Sequence, residues 1–194
     1  MSQPSDWNPE QYLRFADHRL RPALELLSRI NLENPKLIYD LGCGTGNVTE
    51  MLARRWPDAE IHGVDNSPEM LKTARDEHPH INWHESDIAA WQSDAKPDLI
   101  FTNAALHWVP GHTELFPRLL NILRPGGCLA VQVPANWNAA SHQLIRDVLD
   151  NCKSRELWTD GLREELHAVG ILPIADYFSI LKPKTTSLDV WRTE

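Results

Sequence analysis

Five short apolar runs punctuate the chain, each leading into a polar or glycine-containing turn and most then into a stretch of helical periodicity. Leu37–Leu41, Glu60–Asp65 and the runs at 80–85, 97–103 and 128–133 have the length and composition of buried strands. Between them, 48–55, Pro68–Glu77 and 113–123 place apolar side chains three and four residues apart, which predicts amphipathic helices. Ser67 before Pro68 reads as an N-cap with proline at the first helical position. The turn Arg124-Pro125-Gly126-Gly127 stops the helix before it and feeds the fifth strand. Strands alternating with helices at this spacing predict a doubly wound, mainly parallel, Rossmann-like α/β sheet.

Helical signals flank this core. Asn8 and Pro9 start a helix whose Tyr12, Phe15, Ala16 and Arg19 share one face. A second helix begins at Pro22 and carries Leu24, Leu27 and Ile30 before Asn34-Pro35 breaks the chain. Beyond residue 135 the pattern is helical over 139–150 and 160–169. The segment 177–181 reads as loop or strand, and 187–194 as a strand beginning. No repeat or linker divides the pattern, so residues 1–194 are expected to form one domain around a 34–135 ligand-binding core.

Composition narrows the partners. Hydrophobic residues are 42% and charged residues 24%, the balance of a globular domain. No apolar run approaches the roughly 20 residues needed to cross a bilayer, and the first residues lack a secretory pattern. Cys43, Cys128 and Cys152 are widely spaced without CxxC, which argues for a reducing, cytoplasmic setting and against structural zinc. His62, His78, His80 and His84 show no paired metal-ligand spacing with a carboxylate, so no metal is expected. A net charge of −8 disfavours a nucleic-acid partner held through phosphates. Eight tryptophans either fill the core or line a pocket.

The chemistry concentrates in Asp40-Leu41-Gly42-Cys43-Gly44-Thr45-Gly46, at the carboxyl end of the first strand. The spacing is not that of a phosphate-cradling P-loop, nor the Gly-x-Gly-x-x-Gly of a dinucleotide turn. Asp40 would repel a pyrophosphate and suits a cationic ligand. Asp65, about twenty residues on at the next strand end, can hold two ribose hydroxyls. Asp87 follows the third strand. An ammonium-bearing, ribose-containing, phosphate-free cofactor fits these acids, and S-adenosylmethionine answers that description.

These residues resemble a known family. Asp40 to Gly46, Gly63-Val64-Asp65 with Ser67 and Met70, and Leu123-Arg-Pro-Gly-Gly127 are similar to the motifs of class I S-adenosylmethionine-dependent methyltransferases. The arm from Trp7 to Pro22 and the loop Asn103-Ala-Ala-Leu-His107-Trp108-Val109 resemble the branch that makes a methyl ester of trans-aconitate, a small tricarboxylic acid. The resemblance implies that Asp40, Gly42, Cys43 and Gly44 approach the methionyl part of the cofactor. It implies that Asp65 takes the ribose hydroxyls beside Asn66 and Met70, and that Asp87 and Ile88 meet the adenine. Asn103 would border the methyl-transfer region, with His107 and Trp108 facing the acceptor. Residues 1–33 would form a helical lid, with Trp7 and Tyr12 over the cofactor and Arg19 and Arg21 near the acceptor. A polycarboxylate substrate, S-adenosylhomocysteine as the second product and a monomer or weak homodimer are expected. Relatives of this kind run several dozen residues past 190–193, so the last strand of the fold is expected to be missing. Rival expectations are another carboxyl or hydroxyl acceptor, or a shortened cofactor-binding remnant.

Overall fold

The computed structural model describes residues 20–135 and 171–193, together with positions 140, 143, 144, 147 and 148. The lid helix with Trp7, Tyr12, Phe15 and Arg19, and the helix expected at 160–169, lie outside the described residues. Of the helix expected at 139–150, the five described positions are helical.

Each apolar run of the core is a strand: β1 (Leu37–Leu41), β2 (Glu60–Asp65), β3 (Asn82–Glu85), β4 (Leu99–Asn103) and β5 (Cys128–Gln132). All four pairings are parallel, in the order β3-β2-β1-β4-β5. The order reverses between β1 and β4, which opens a crevice at the carboxyl ends of those strands. Helix α1 (Arg21–Arg29) leads into β1, and α2 (Asn47–Arg55), α3 (Pro68–Glu77) and α4 (His112–Ile122) connect β1 to β2, β2 to β3 and β4 to β5. Ser67 caps α3 by accepting from the Met70 N–H.

Alternate residues of one strand feed two cores. Leu99 and Phe101 of β4 pack with Leu26, Leu27, Leu52 and Trp56 of α1, α2 and their flanks, whereas Ile100 packs with Leu115, Phe116 and Leu119 of α4. Phe101, Ile100 and Leu99 are fully buried. Removing such a side chain from water stabilises by about 1.5–3 kcal/mol each. The last carbonyls of α1 are met by Arg55, whose Nη2 donates to Ile30 O at 2.7 Å and whose guanidinium lies over the Trp56 ring.

Two readings beyond residue 170 are corrected. Residues 177–181, expected as loop or strand, belong to helix α5 (Ile174–Leu181). Tyr177, Phe178 and Ile180 have strand composition, but Tyr177 and Leu181 stand four residues apart and bury one face beside α4. The strand expected to begin at 187 pairs with no strand among the described residues. Residues 187–193 are irregular, with Asp189 bonded to Arg29 at 2.9 Å and Trp191 under its guanidinium. Those side-chain contacts, rather than a ladder, set its path.

Asp98, just before β4, ties the opposite edge of the sheet together. Its carboxylate accepts from the Lys36 and Leu37 N–H groups at 2.8 and 2.9 Å, and from Arg124 Nε. Burial alone would raise this carboxyl, but the backbone donors and the guanidinium outweigh it and hold it below its ordinary value. Asp98→Asn is expected to cost about 1.5 kcal/mol in urea unfolding at pH 7, the worth of a charge-assisted bond. A depressed native pKa means the contribution is present above the unfolded value and fades as pH falls through the native one. The difference from wild type therefore vanishes in acid.

Candidate active site

The crevice is floored by the turn between β1 and α2. Gly42 and Cys43 both donate to Val64 O, at 2.8 and 3.1 Å, so β2 fixes the start of the turn. Gly42 has φ +76°, and a Cβ there would lie 2.2 Å from Ala105 Cβ, so the turn and the loop after β4 meet without room for a side chain. Gly44, also at positive φ, is the reverse case. A Cβ there would meet nothing within 4 Å, and this open space lies over the turn where a ligand can approach the backbone.

Three carboxylates stand at or just beyond the ends of successive strands. Asp65 accepts from Gly44 N–H at 2.8 Å through one oxygen and from Ser67 N–H at 2.9 Å through the other. This fixes the carboxylate plane while leaving each oxygen a further lone pair. Asp40 is buried and accepts from Thr49 Oγ1 at 2.6 Å. Its carboxyl is pushed up to about 7, chiefly by burial and further by the charge of Asp65, against the Thr49 hydroxyl. Asp87 is exposed and folds back onto the Ala89 N–H at 2.8 Å, followed by buried Ile88. Asn66 is exposed, and Met70 is 46% exposed, so Met70 stands at the rim rather than in the core.

The fourth side is the end of β4. Asn103 Oδ1 is buried with no hydrogen-bond partner among the described residues. Ala104 adopts φ +53°, which costs a residue with a side chain about 1–2 kcal/mol. It is held there because its N–H donates to both the main-chain and side-chain oxygens of Gln132, at 3.0 and 3.1 Å. An open glycine turn, an oriented carboxylate with lone pairs to spare and an unsatisfied amide oxygen together fit a ligand rich in hydroxyl and amino groups.

The model of a methyltransferase domain matches residues 38–127, which span this crevice. Trans-aconitate 2-methyltransferase of Escherichia coli O139:H28 is 47% identical over 189 residues, 97% of this chain and 71% of that protein. The Shigella dysenteriae protein of the same name is 47% identical over the same shares. The chain belongs to the trans-aconitate 2-methyltransferase family of class I S-adenosylmethionine-dependent methyltransferases. Solved structures agree on the fold. The plantazolicin methyltransferase BpumL, in complex with a desmethylPZN analog and SAH, superposes with a TM-score of 0.58 at 22% identity, covering 90% of this chain and 66% of its own. A Haemonchus contortus phosphoethanolamine N-methyltransferase gives 0.59 at 17% identity, over 84% and 36%. The cofactor of the family, S-adenosylmethionine, fits the open turn and the acids around it.

In this methyltransferase the loop after β4 runs into a single 3-10 turn, Leu106–Trp108. Trp108 is 65% exposed, whereas His107 is buried with its ring 4.7 Å from that of Trp108. Burial, and then the neighbouring His112, lower the His107 pKa, so it is a neutral hydrogen-bonding group at pH 7. Arg21 opens α1 and is paired with Glu25 at 2.7 Å. It lines a cavity of about 520 Å³ beside β5, with Phe116, Val131, Gln132 and Tyr177. Among the described residues no group of three or more His, Cys, Asp or Glu is placed to hold a metal ion.

Several supporting residues carried no sequence signal of their own. Thr49 reads as an ordinary helix position, yet it is the hydrogen-bond donor to Asp40. The Trp83 ring fills the space that a Cβ at Gly46 or Gly63 would need, so it props the turn from below. Arg118 of α4 reaches across to donate to Ile88 O at 2.8 Å and to Trp91 O, fixing the loop after Asp87.

Proposed function

We propose that the enzyme transfers the methyl group of S-adenosylmethionine to a carboxylate of a small polycarboxylic acid, with trans-aconitate as the acceptor. The observation that supports this acceptor is the 47% identity to proteins of that name over 97% of the chain, which includes both the 7–22 arm and the 103–109 loop. When bound, the cofactor supplies a methyl group on a positively charged sulfur.

The residues divide the remaining work. Asp65 takes the ribose hydroxyls, with Asn66 and Met70 along the adenosine and Asp87 and Ile88 at the adenine. Asp40, Gly42, Cys43 and Gly44 face the methionyl part, whose ammonium is answered by Asp40 and, from the far side, by the Asn103 amide oxygen. Trp7 and Tyr12 cover the cofactor. An acceptor carboxylate is already ionised at pH 7, so no general base is required of the protein. What the protein supplies is alignment and exclusion of water, from Asn103, His107 and Trp108. Arg19 and Arg21 neutralise the carboxylates that are not esterified. Glu25 holds Arg21 through a solvent-exposed ion pair, which is weak enough to be exchanged for a substrate carboxylate.

The apolar lining of the cavity beside β5 favours a second reading, a carboxyl group carried on an acyl chain. Mass spectrometry of trans-aconitate incubated with enzyme and cofactor decides. A monomethyl ester is expected, and its absence removes the polycarboxylate reading. Citrate-like polyacids compete only on that first reading. No helix among the described residues is long and apolar enough to cross a membrane, and Cys43 and Cys128 are free thiols. We place the enzyme in the cytoplasm, as a monomer or weak homodimer.

The raised Asp40 pKa gives a pH signature. The fold favours its protonated form, so the cofactor-free protein loses stability as pH rises from about 4 to about 7 and then levels. The cofactor's ammonium favours the ionised form, so affinity rises with pH up to about 7 and binding below that releases a proton. Calorimetry at pH 6 in two buffers of different ionisation enthalpy reads that proton directly. Identical heats in both buffers refute the role of Asp40.

A further inference from the structure

The interior of the second core holds one polar chain among apolar neighbours. His112, at the start of α4, and Tyr177, in α5, are 65 residues apart and both buried. Their Nδ1 and hydroxyl atoms are 2.5 Å apart. The Tyr177 oxygen also accepts from the Leu172 N–H at 3.1 Å, and His112 Nε2 lies 2.8 Å from the Leu106 carbonyl oxygen. The Leu106 oxygen can only accept, so Nε2 carries a proton, and in the neutral ring Nδ1 then accepts from the tyrosine. Every polar atom of the chain is then satisfied, from the backbone before α5 to the backbone of the 3-10 turn.

The far end of this chain is the part of the molecule that presents Trp108. Leu106 O also accepts from Val109 N–H at 2.9 Å, the bond that closes the turn. Two residues upstream, strained Ala104 is pinned by Gln132. The approach to the turn is thus held by β5 at Ala104, and its first residue by His112 at the Leu106 carbonyl. Phe116 lies 5.0 Å from the Tyr177 ring and 5.2 Å from that of His112, so the helices already pack through rings. Apolar side chains would suffice to hold α5 on α4. A fully satisfied buried polar chain adds a defined position rather than adhesion.

We propose that His112 and Tyr177 are positioning residues for methyl transfer: they set the Leu106–Trp108 turn, and so couple the seating of α5 to the acceptor side of the active site. The inference rests on the acceptor reading of that turn, and not on which acid is the acceptor. Tyr177→Phe keeps the ring and removes only the hydroxyl. His112→Gln keeps a donor for the Leu106 carbonyl, and His112→Leu keeps only bulk.

The readouts are the fluorine resonance of Trp108 in 5-fluorotryptophan-labelled protein, assigned with Trp108→Phe, and kinetics with trans-aconitate. Tyr177→Phe and His112→Leu are expected to move or broaden the Trp108 resonance. They should raise the acceptor KM roughly 5- to 20-fold, while S-adenosylmethionine affinity by calorimetry stays within about twofold. His112→Gln should restore much of both. A Trp108 resonance indifferent to Tyr177→Phe and His112→Leu, with only the melting temperature lowered, overturns the coupling. Trp108→Ala with an unchanged acceptor KM overturns instead the acceptor role of the turn. The resonance still decides the coupling if trans-aconitate is not turned over.

Discussion

Asp65→Ala lowers the affinity for S-adenosylmethionine by roughly 10- to 150-fold, or about 1.5–3 kcal/mol. The carboxylate is the charged acceptor at the end of β2, and its orientation is set by two backbone donors, Gly44 and Ser67. Bonds from hydroxyls to an ionised acceptor are worth about 1.5–3 kcal/mol each. Part of that is recovered when water reaches the vacated position. Truncation also frees the Gly44 N–H, which loosens the glycine turn. Asp65→Asn separates the two contributions, because it keeps one acceptor oxygen but removes the charge. It should fall between wild type and alanine. Isothermal titration supplies the number, and an alanine variant that binds as tightly as wild type excludes Asp65 from the ribose site.

Gly42→Ala is expected to destabilise the protein by about 3–4 kcal/mol. Two independent penalties meet at this position. Placing a Cβ on a left-handed backbone costs about 1–2 kcal/mol. The new methyl would lie 2.2 Å from Ala105 Cβ, far inside contact distance, and relieving such overpacking costs about 1–3 kcal/mol. Neither partner can retreat easily. Gly42 is bonded to Val64 at 2.8 Å, and Ala105 follows a strained residue held by Gln132. The two penalties can be told apart. Adding Ala105→Gly should recover the steric part and leave the conformational part, so the double variant regains about half the loss in urea unfolding. No recovery would place the whole cost in the backbone conformation.

Much of the fold was legible because it follows from local rules. Strand β1 ends where an apolar run meets Asp40 and a glycine turn, and α3 begins where Ser67 precedes Pro68. Both are consequences of neighbouring residues. The same holds for the acids at the strand ends, because in a parallel sheet the residue that ends an apolar run stands at its carboxyl edge. Errors came where composition and packing disagreed. The aromatic and β-branched content of 177–181 suggests a strand, and only burial of Tyr177 and Leu181 beside α4 makes it a helix. That His107 is buried against the Trp108 ring, while Trp108 is exposed, is likewise not legible from the loop's composition.

The amino-acid sequence by itself therefore determined the parallel α/β order, the glycine turn and the acidic, phosphate-averse character of the cofactor site. Periodicity, backbone stereochemistry and charge act over a few residues and leave a readable mark. What only the tertiary structure decided is which groups support those residues. Thr49 bonds Asp40 across nine positions, Arg118 holds the loop after Asp87 across thirty, and Tyr177 reaches His112 across sixty-five. Such pairs have no period and no motif. Each exists because folding removes water from both partners, so that a buried donor is left to find its acceptor wherever the chain has brought it.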